Sequence, residues 1–226
     1  MAAIASKNHG NAMANPLAQM HKAMSFEHCN TVSPSNPLIA PPLRLSDCSL
    51  ISDGAAAIVL ASPQRAKQFR REVAISATAH VSDFLPVASR DILAFEGPRQ
   101  AIGSALDKAG IGLEQLNFAE VHDCFTIAEL LIYEAMSLTP VGEGHRAIEE
   151  GIVLADGRLP VNLSGGLKAK GHPVGATGVS MHAMAFRQLT GDAIGIALEQ
   201  PEFGLLFNMG GMAVANYATV LQARRA

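Results

Sequence analysis

The sequence predicts a layered α/β domain, a mixed sheet flanked by helices. Three observations carry this expectation. Strand-like apolar runs alternate with helical patterns along most of the chain. Hydrophobic residues make up 49% and charged residues 16%, which favours buried strands, covering helices or a sizeable subunit interface. Two short histidine motifs, beginning at His122 and Gly171, each stand where an apolar run ends and a helical pattern begins. A length of 226 residues fits one large domain, or one domain with an appendage, and suffices to bury roughly 70% of the unfolded surface.

Residues 1–42 hold five prolines and no firm helical or strand period. They read as an irregular, partly helical surface segment, or as a loop-rich lid. Asp53-Gly54 leads into residues 55–61, a small apolar run expected to be a buried strand. Ser62-Pro63 is a helix start, a cap followed by a first-turn proline. Residues 73–81 read as a strand. Pro98 opens a helix with Ala101, Ile102, Ala105, Leu106 and Ala109 at helical spacing, and Gly110 stops it. Residues 116–121 form a strand ending at His122. Residues 127–138 are apolar nearly all round, so their helix is buried. Residues 159–163 make a short strand before Ser164-Gly165-Gly166. Residues 177–189 form a helix with Val179, Ala183 and Phe186 on one face. Residues 205–208 and 213–220 are two final strands around Gly210-Gly211.

Composition excludes several functions. Trp is absent, Tyr occurs twice and the net charge is -3, so nucleic acid and anionic membranes are poorly matched. No apolar run of about 18 residues is present. The start lacks a secretory pattern, and Arg224-Arg225-Ala226 is not a peroxisomal address, so the cytoplasm is the expected compartment. Cys29, Cys48 and Cys124 show neither metal-ligand nor disulfide spacing, which suggests a reducing compartment and no metal.

His122 and Cys124 lie two residues apart, so a persisting strand puts both on one face. An imidazole can donate to a carbonyl oxygen or move a proton. A thiol can do acid–base work if a neighbour lowers its pKa. The plainer alternative is a half-buried histidine beside an inert cysteine. His172 sits between Gly171 and Pro173, and Gly175 and Gly178 leave room at a helix start for a ligand or for close packing. Lys168 and Lys170 can hold phosphates or belong to a solvated loop. Gly210 can offer an oxyanion N–H. Cys29 and Cys48 read as structural.

Three strings together resemble the thiolase family: Ser52 to Ala57, His122-Asp123-Cys124-Phe125, and Asn162 to Thr177-Gly178. H-D-C-F resembles the sterol-carrier-protein-2 type, where most thiolases carry N-E-A-F. The resemblance implies that His172 activates a nucleophilic cysteine and helps bind a thioester oxygen. It implies that His122 contributes to the same oxyanion hole, that Cys124 transfers protons, and that Gly210 supports a second oxyanion hole. Ser49 and Phe125 fall where the pantetheine arm of coenzyme A is contacted. Where most thiolases read C-x-G, this chain reads Asn208-Met209-Gly210.

The resemblance further implies three segments. Residues 1–42 end a loop domain, 43–71 supply the last strand and helix of an N-terminal half, and 72–226 form a C-terminal domain. The family's nucleophilic cysteine lies in the N-terminal half. The expected function is therefore a thiolase-like acyltransferase on a coenzyme A thioester, inactive without that half. The substrate is acyl-CoA, with no covalently bound cofactor. The expected partner is the N-terminal half or another subunit, in a homo- or hetero-oligomer. The alternatives are a non-catalytic acyl-CoA-binding subunit, or a retro-aldol lyase subunit acting with a partner.

Overall fold

The structure is a computed structural model that describes residues 1–224. The reading of the C-terminal tripeptide reaches residues 225 and 226, outside the described residues. The first helix, α1 (Ala2–Ala12), is followed by α2 (Phe26–Asn30), a small hairpin of β1 (Leu38–Ala40) and β2 (Leu43–Arg44), and α3 (Pro63–Ala66). Then come β3 (Val73–Ser82), α4 (Glu96–Ala109), β4 (Phe118–Val121), α5 (Thr126–Ala135), α6 (His145–Glu149), α7 (Thr177–Leu189), β5 (Phe203–Gly210) and β6 (Ala215–Ala223).

The main sheet has the order β3-β6-β5-β4. β4 and β5 run parallel, and the other two pairings are antiparallel. The mixed α/β architecture is therefore as expected. Residues 159–163 contribute less than a full strand. They make one parallel bridge, Ala119 to Val161, with Ala119 N donating to Pro160 O at 2.9 Å and Asn162 N to Ala119 O at 2.9 Å.

Strand alternation sorts the core into two layers. Ala119, Val121, Leu205, Phe207, Ala218 and Val220 pack against residues of α4 and α5, with Ile4 of α1. Phe118, Leu206 and Leu221 point the other way, against Met181, Ala185 and Leu189 of α7. The face of α7 expected to be buried is shifted: Val179, Ala183 and Phe186 are only half-buried, while Thr177, Met181, Ala185 and Leu189 are covered. Ser62 caps α3 by accepting from Arg65 N, and Gly110 ends α4 at φ 70°. α4 begins two residues before Pro98. No residue of α5 is exposed, as its all-round apolarity requires.

Two expectations are corrected. Residues 1–42 are partly helical as expected, but α1 is buried and not a surface element. Lys7, Asn8, His9 and Asn11 lie on its covered side, so no apolar stripe announces it. Residues 55–61 do not form a buried strand. No strand lies beside them among the described residues, and Val59 and Leu60 are 84% and 71% exposed. A β-run without a neighbour has no ladder to join.

Candidate functional site: two histidines between sheet and helix

β4 ends at Val121, whose N–H donates to Asn162 Oδ1 at 2.8 Å. The next residue, His122, keeps the strand's alternation and points to the α7 side. It is buried, and its Nδ1 lies 2.7 Å from Asn208 Oδ1 on β5. Asn208 follows Phe207, the register partner of Val121, so the parallel pairing itself sets this contact. Burial pushes the His122 imidazole down to about 4, against the opposing pull of the Asn208 bond. His122 is therefore neutral at pH 7.

His172 precedes α7. Its N–H donates to Ser52 Oγ at 2.7 Å, and its Nδ1 lies 2.7 Å from Thr177 Oγ1. The Thr177 hydroxyl donates to Pro173 O at 3.0 Å. With its one proton committed there, Oγ1 accepts from His172 Nδ1–H. Nε2 is left as the basic nitrogen. Burial first, then the Lys170 charge, lowers the His172 pKa. The two imidazoles meet edge to face, with ring centroids 5.1 Å apart and planes at 90°.

Asp123 turns to the opposite side. Its fully buried carboxylate accepts Leu167 N at 2.6 Å, Lys168 N at 3.3 Å and Asn8 Nδ2 at 2.8 Å. Asn8 also donates to Glu129 Oε2 at 2.6 Å, and Lys7 pairs with Glu129 at 2.9 Å. Asn162 and the Tyr133 hydroxyl complete the Glu129 shell. Gly166 stands at φ 61°, and a Cβ there would run into the Asp123 carboxylate. This network bolts α1 and the Gly166–Lys170 turn to the strand end that carries His122.

Cys124 packs against the α7-side core, on the same side as His122. Burial, and then the Asp123 charge, push its thiol up to about 11. The thiols of Cys29 and Cys48 are raised by burial as well. All three are protonated near neutral pH. Ser49 is held beside the motif by its N–H, which donates to Cys124 O at 2.9 Å, and Cys48 bridges Phe125. Phe125 is 41% exposed. Gly210 closes β5, two residues beyond Asn208. Gly211, Met212 and Ala213 then adopt φ 59°, 56° and 62°, a left-handed turn held by Arg90 Nη2 donating to Met212 O at 2.6 Å.

The structure thus brings together His122, His172 and, through Asn208, the end of β5. Lys168 and Lys170 belong neither to a solvated loop nor to a phosphate site. Both are buried, with Nζ on Cys48 O at 2.8 Å and Ser180 Oγ at 3.1 Å. Tyr133 is fully buried, and Tyr217 is half-exposed and stacked on His80 at 4.4 Å. A solvent-open groove of about 430 Å³ runs between Ser52–Ala56 and Pro173–Ala176, beside His172. Asn208 and Thr177 are the orienting residues that motif reading passed over, although both lie inside the motifs. Asn8 carries no sequence signal.

A pair of neutral imidazoles stands at the end of a mixed sheet, beneath the start of a covering helix, on a layered α/β fold. Residues 79–223 match the family described as thiolase C-terminal domain-like. The chain belongs to the thiolase family.

Among its relatives are an acetyl-CoA acetyltransferase of Methanothermobacter thermautotrophicus, 38% identical over 213 residues, and sterol carrier protein 2 of Oryctolagus cuniculus, 34% identical over 217. These alignments cover 93% and 92% of this chain, but 55% and 39% of the relatives. Benzoylsuccinyl-CoA thiolase of Thauera aromatica has a subunit 31% identical over 214 residues, covering 93% of this chain and 54% of that subunit. The chain therefore spans about half the length of the curated relatives it matches.

The Ltp2–ChsH2 (DUF35) aldolase superposes with a TM-score of 0.86 at 21% identity, covering 100% of this chain and 58% of that one. A monomeric thiolase-like protein of the sterol-carrier-protein-2 type from Mycobacterium smegmatis gives 0.70 at 19%, covering 100% and 46%. At those identities the likeness is one of fold. Among the described residues no helix is long and apolar enough to cross a membrane.

Proposed function

We propose that this chain supplies the acid–base and oxyanion half of a thiolase-type active site acting on acyl-CoA. The observation that carries this is the edge-to-face contact of His122 and His172 at 5.1 Å. Two neutral imidazoles, each with Nδ1 occupied by an orienting oxygen, are suited to taking and returning protons. The groove beside His172 is the path for the pantetheine arm, Ser49 and Phe125 contact that arm, and Gly210 N–H serves the second oxyanion.

In this reading a cysteine from outside these residues attacks the acyl carbonyl. His172 takes the cysteine's proton, the C–S bond to coenzyme A breaks as an acyl thioester forms on the cysteine, and the departing thiolate receives that proton from His172. The raised thiols of Cys29, Cys48 and Cys124 support an external nucleophile. Cys124, kept protonated, acts as a proton donor. The exposed run at residues 55–61 supports the proposed division at 42 and 71, as a strand that pairs with the completing half. The working assembly is then an oligomer or heteromer, in the cytoplasm.

A second reading is favoured by the same absence of a low-pKa thiol. In retro-aldol cleavage a histidine takes the β-hydroxyl proton, the Cα–Cβ bond breaks, and the enolate is reprotonated. No covalent acyl-enzyme is needed.

The experiment offers the assembly purified from its natural source acetoacetyl-CoA with free coenzyme A, and separately a β-hydroxyacyl-CoA without it. Cleavage of the first alone supports acyl transfer. Cleavage of the second alone supports the lyase. Acyl-CoA binding without turnover of either makes the chain an accessory subunit and overturns the catalytic reading.

A further inference from the structure

The hairpin between β5 and β6 turns left-handed over three residues in a row. Gly211, Met212 and Ala213 hold φ of 59°, 56° and 62°, and Val214 N–H donates back to Gly210 O at 3.0 Å, closing one turn. Glycine takes this conformation freely, but Met212 and Ala213 carry a Cβ that opposes it. Such strain persists only where the surroundings over-determine it. The Met212 side chain supplies little of that hold, since it is 64% exposed. The hold is on the carbonyls that follow Gly211, each of which meets a donor. Arg90 Nη2 donates to Met212 O at 2.6 Å, Asn216 Nδ2 to Ala213 O at 2.9 Å, and Asp83 N to Val214 O at 2.7 Å. Arg90 Nη1 also lies 3.5 Å from Ala213 O and 3.4 Å from Asp83 Oδ2. The Arg90 side chain is 8% exposed, so little water competes for these bonds. Both Asp83 and Arg90 come from the connection between β3 and α4.

We propose that Arg90 is a positioning residue for the reaction: anchored by Asp83, it keeps the 211–213 turn closed and thereby holds the Gly210 N–H at the second oxyanion. The inference deepens the proposed function and rests on the oxyanion role given there to Gly210. Gly210 is fixed from two sides, by its register with Ala215 on β6 and by the turn that begins at its own carbonyl. Arg90 acts on the second side, through backbone alone, and touches no reacting atom. An N–H set in place before the reaction stabilises the oxyanion because nothing has to reorganise as charge develops. Loosening the turn removes that advantage and leaves the groove beside His172 intact, so the loss falls on the chemical step and not on substrate binding.

The test pairs two readouts on Arg90→Met, which keeps the aliphatic bulk and removes every donor. In the 15N-labelled chain the Val214 amide should exchange with deuterium at least about tenfold faster than in the parent, while the paired Leu205 and Val220 amides of β5 and β6 exchange as before. In the complete assembly kcat should fall at least about tenfold with KM nearly unchanged. Adding Met212→Gly removes a Cβ that strains the turn and should recover part of both losses, which a merely structural arginine would not allow. Val214 exchange equal to the parent overturns the inference. So does an undiminished kcat, or a loss that Met212→Gly leaves in full. If Arg90→Met fails to fold, as circular dichroism would show, Asp83→Ala takes its place under the same criteria, because it leaves Arg90 without its anchor. A parent assembly that turns over nothing removes the proposed function and the positioning role with it. A working parent beside an undiminished variant removes the inference alone.

Discussion

The Asp123 carboxylate accepts the Leu167 N–H at 2.6 Å, and this bond ties the strand end carrying His122 to the turn that leads to His172. Asn8 Nδ2 reaches the same carboxylate at 2.8 Å from α1. Three pieces far apart in sequence therefore meet on one buried group.

Removing that carboxylate leaves buried donors without acceptors. Asp123→Ala is expected to lower unfolding stability by about 1–3 kcal/mol for each stranded donor, read by urea titration. Asp123 also has a pKa raised to about 7, first by burial and then by the Glu129 charge. The native state holds this proton more tightly than the unfolded chain, whose aspartates titrate near 4. Unfolding then releases a proton between these values, so the Asp123 contribution to stability declines as pH rises from about 4 to about 7. Asp123→Asn should remove that decline.

His9 and His122 act with the opposite sign. Burial lowers both to about 4 from an ordinary 6.5. The unfolded chain takes up protons first, so their contribution is intact above 6.5 and is lost as pH falls from 6.5 to about 4. Each pKa unit corresponds to about 1.4 kcal/mol. His9→Gln is expected to flatten the acid limb of a stability–pH curve relative to the parent.

Thr177 orients His172 without touching substrate. Thr177→Val keeps the shape and removes the acceptor for Nδ1–H. Turnover of the complete assembly should fall at least severalfold while the melting temperature changes little. Equal turnover would remove Thr177 from the site.

The segment at residues 54–61 is exposed and has no strand partner among the described residues. Its amides should exchange with deuterium within seconds in the isolated chain. They should become protected when the completing half is present, if that half supplies the neighbouring strand.

Much of the fold was legible because strand and helix periods differ. The runs at 73–81, 116–121 and 177–189 each gave the element type, and Gly110 gave an end. The strand expected at 55–61 failed because apolarity specifies a wish to be buried and says nothing of whether a neighbour is present. α1 was invisible because its buried side mixes Ala2, Ile4, Ala5 and Ala12 with Lys7, Asn8, His9 and Asn11, residues that ordinarily face water. Each of these polar residues is buried against a partner elsewhere in the chain: Lys7 and Asn8 meet Glu129 and Asp123, His9 meets Lys22 O and Asn11 meets Asn162 O. Lys168 and Lys170 mislead in the same way, because Cys48 O and Ser180 Oγ receive their buried ammonium groups. At the site, the histidines stood out by their glycine and proline surroundings. The orienters did not, because their roles depend on register: Asn208 meets His122 only through the parallel pairing of β4 and β5.

The central claim is that His122 and His172 act as one unit. A double-mutant cycle on acyl-CoA turnover by the natural assembly tests it, with His122→Ala, His172→Ala and both together. Each single change should lower the rate by about 10²–10⁴-fold, and the double should cost little more than the worse single, as for groups sharing one step. Losses that multiply, or a His172→Ala rate equal to the parent, would contradict it.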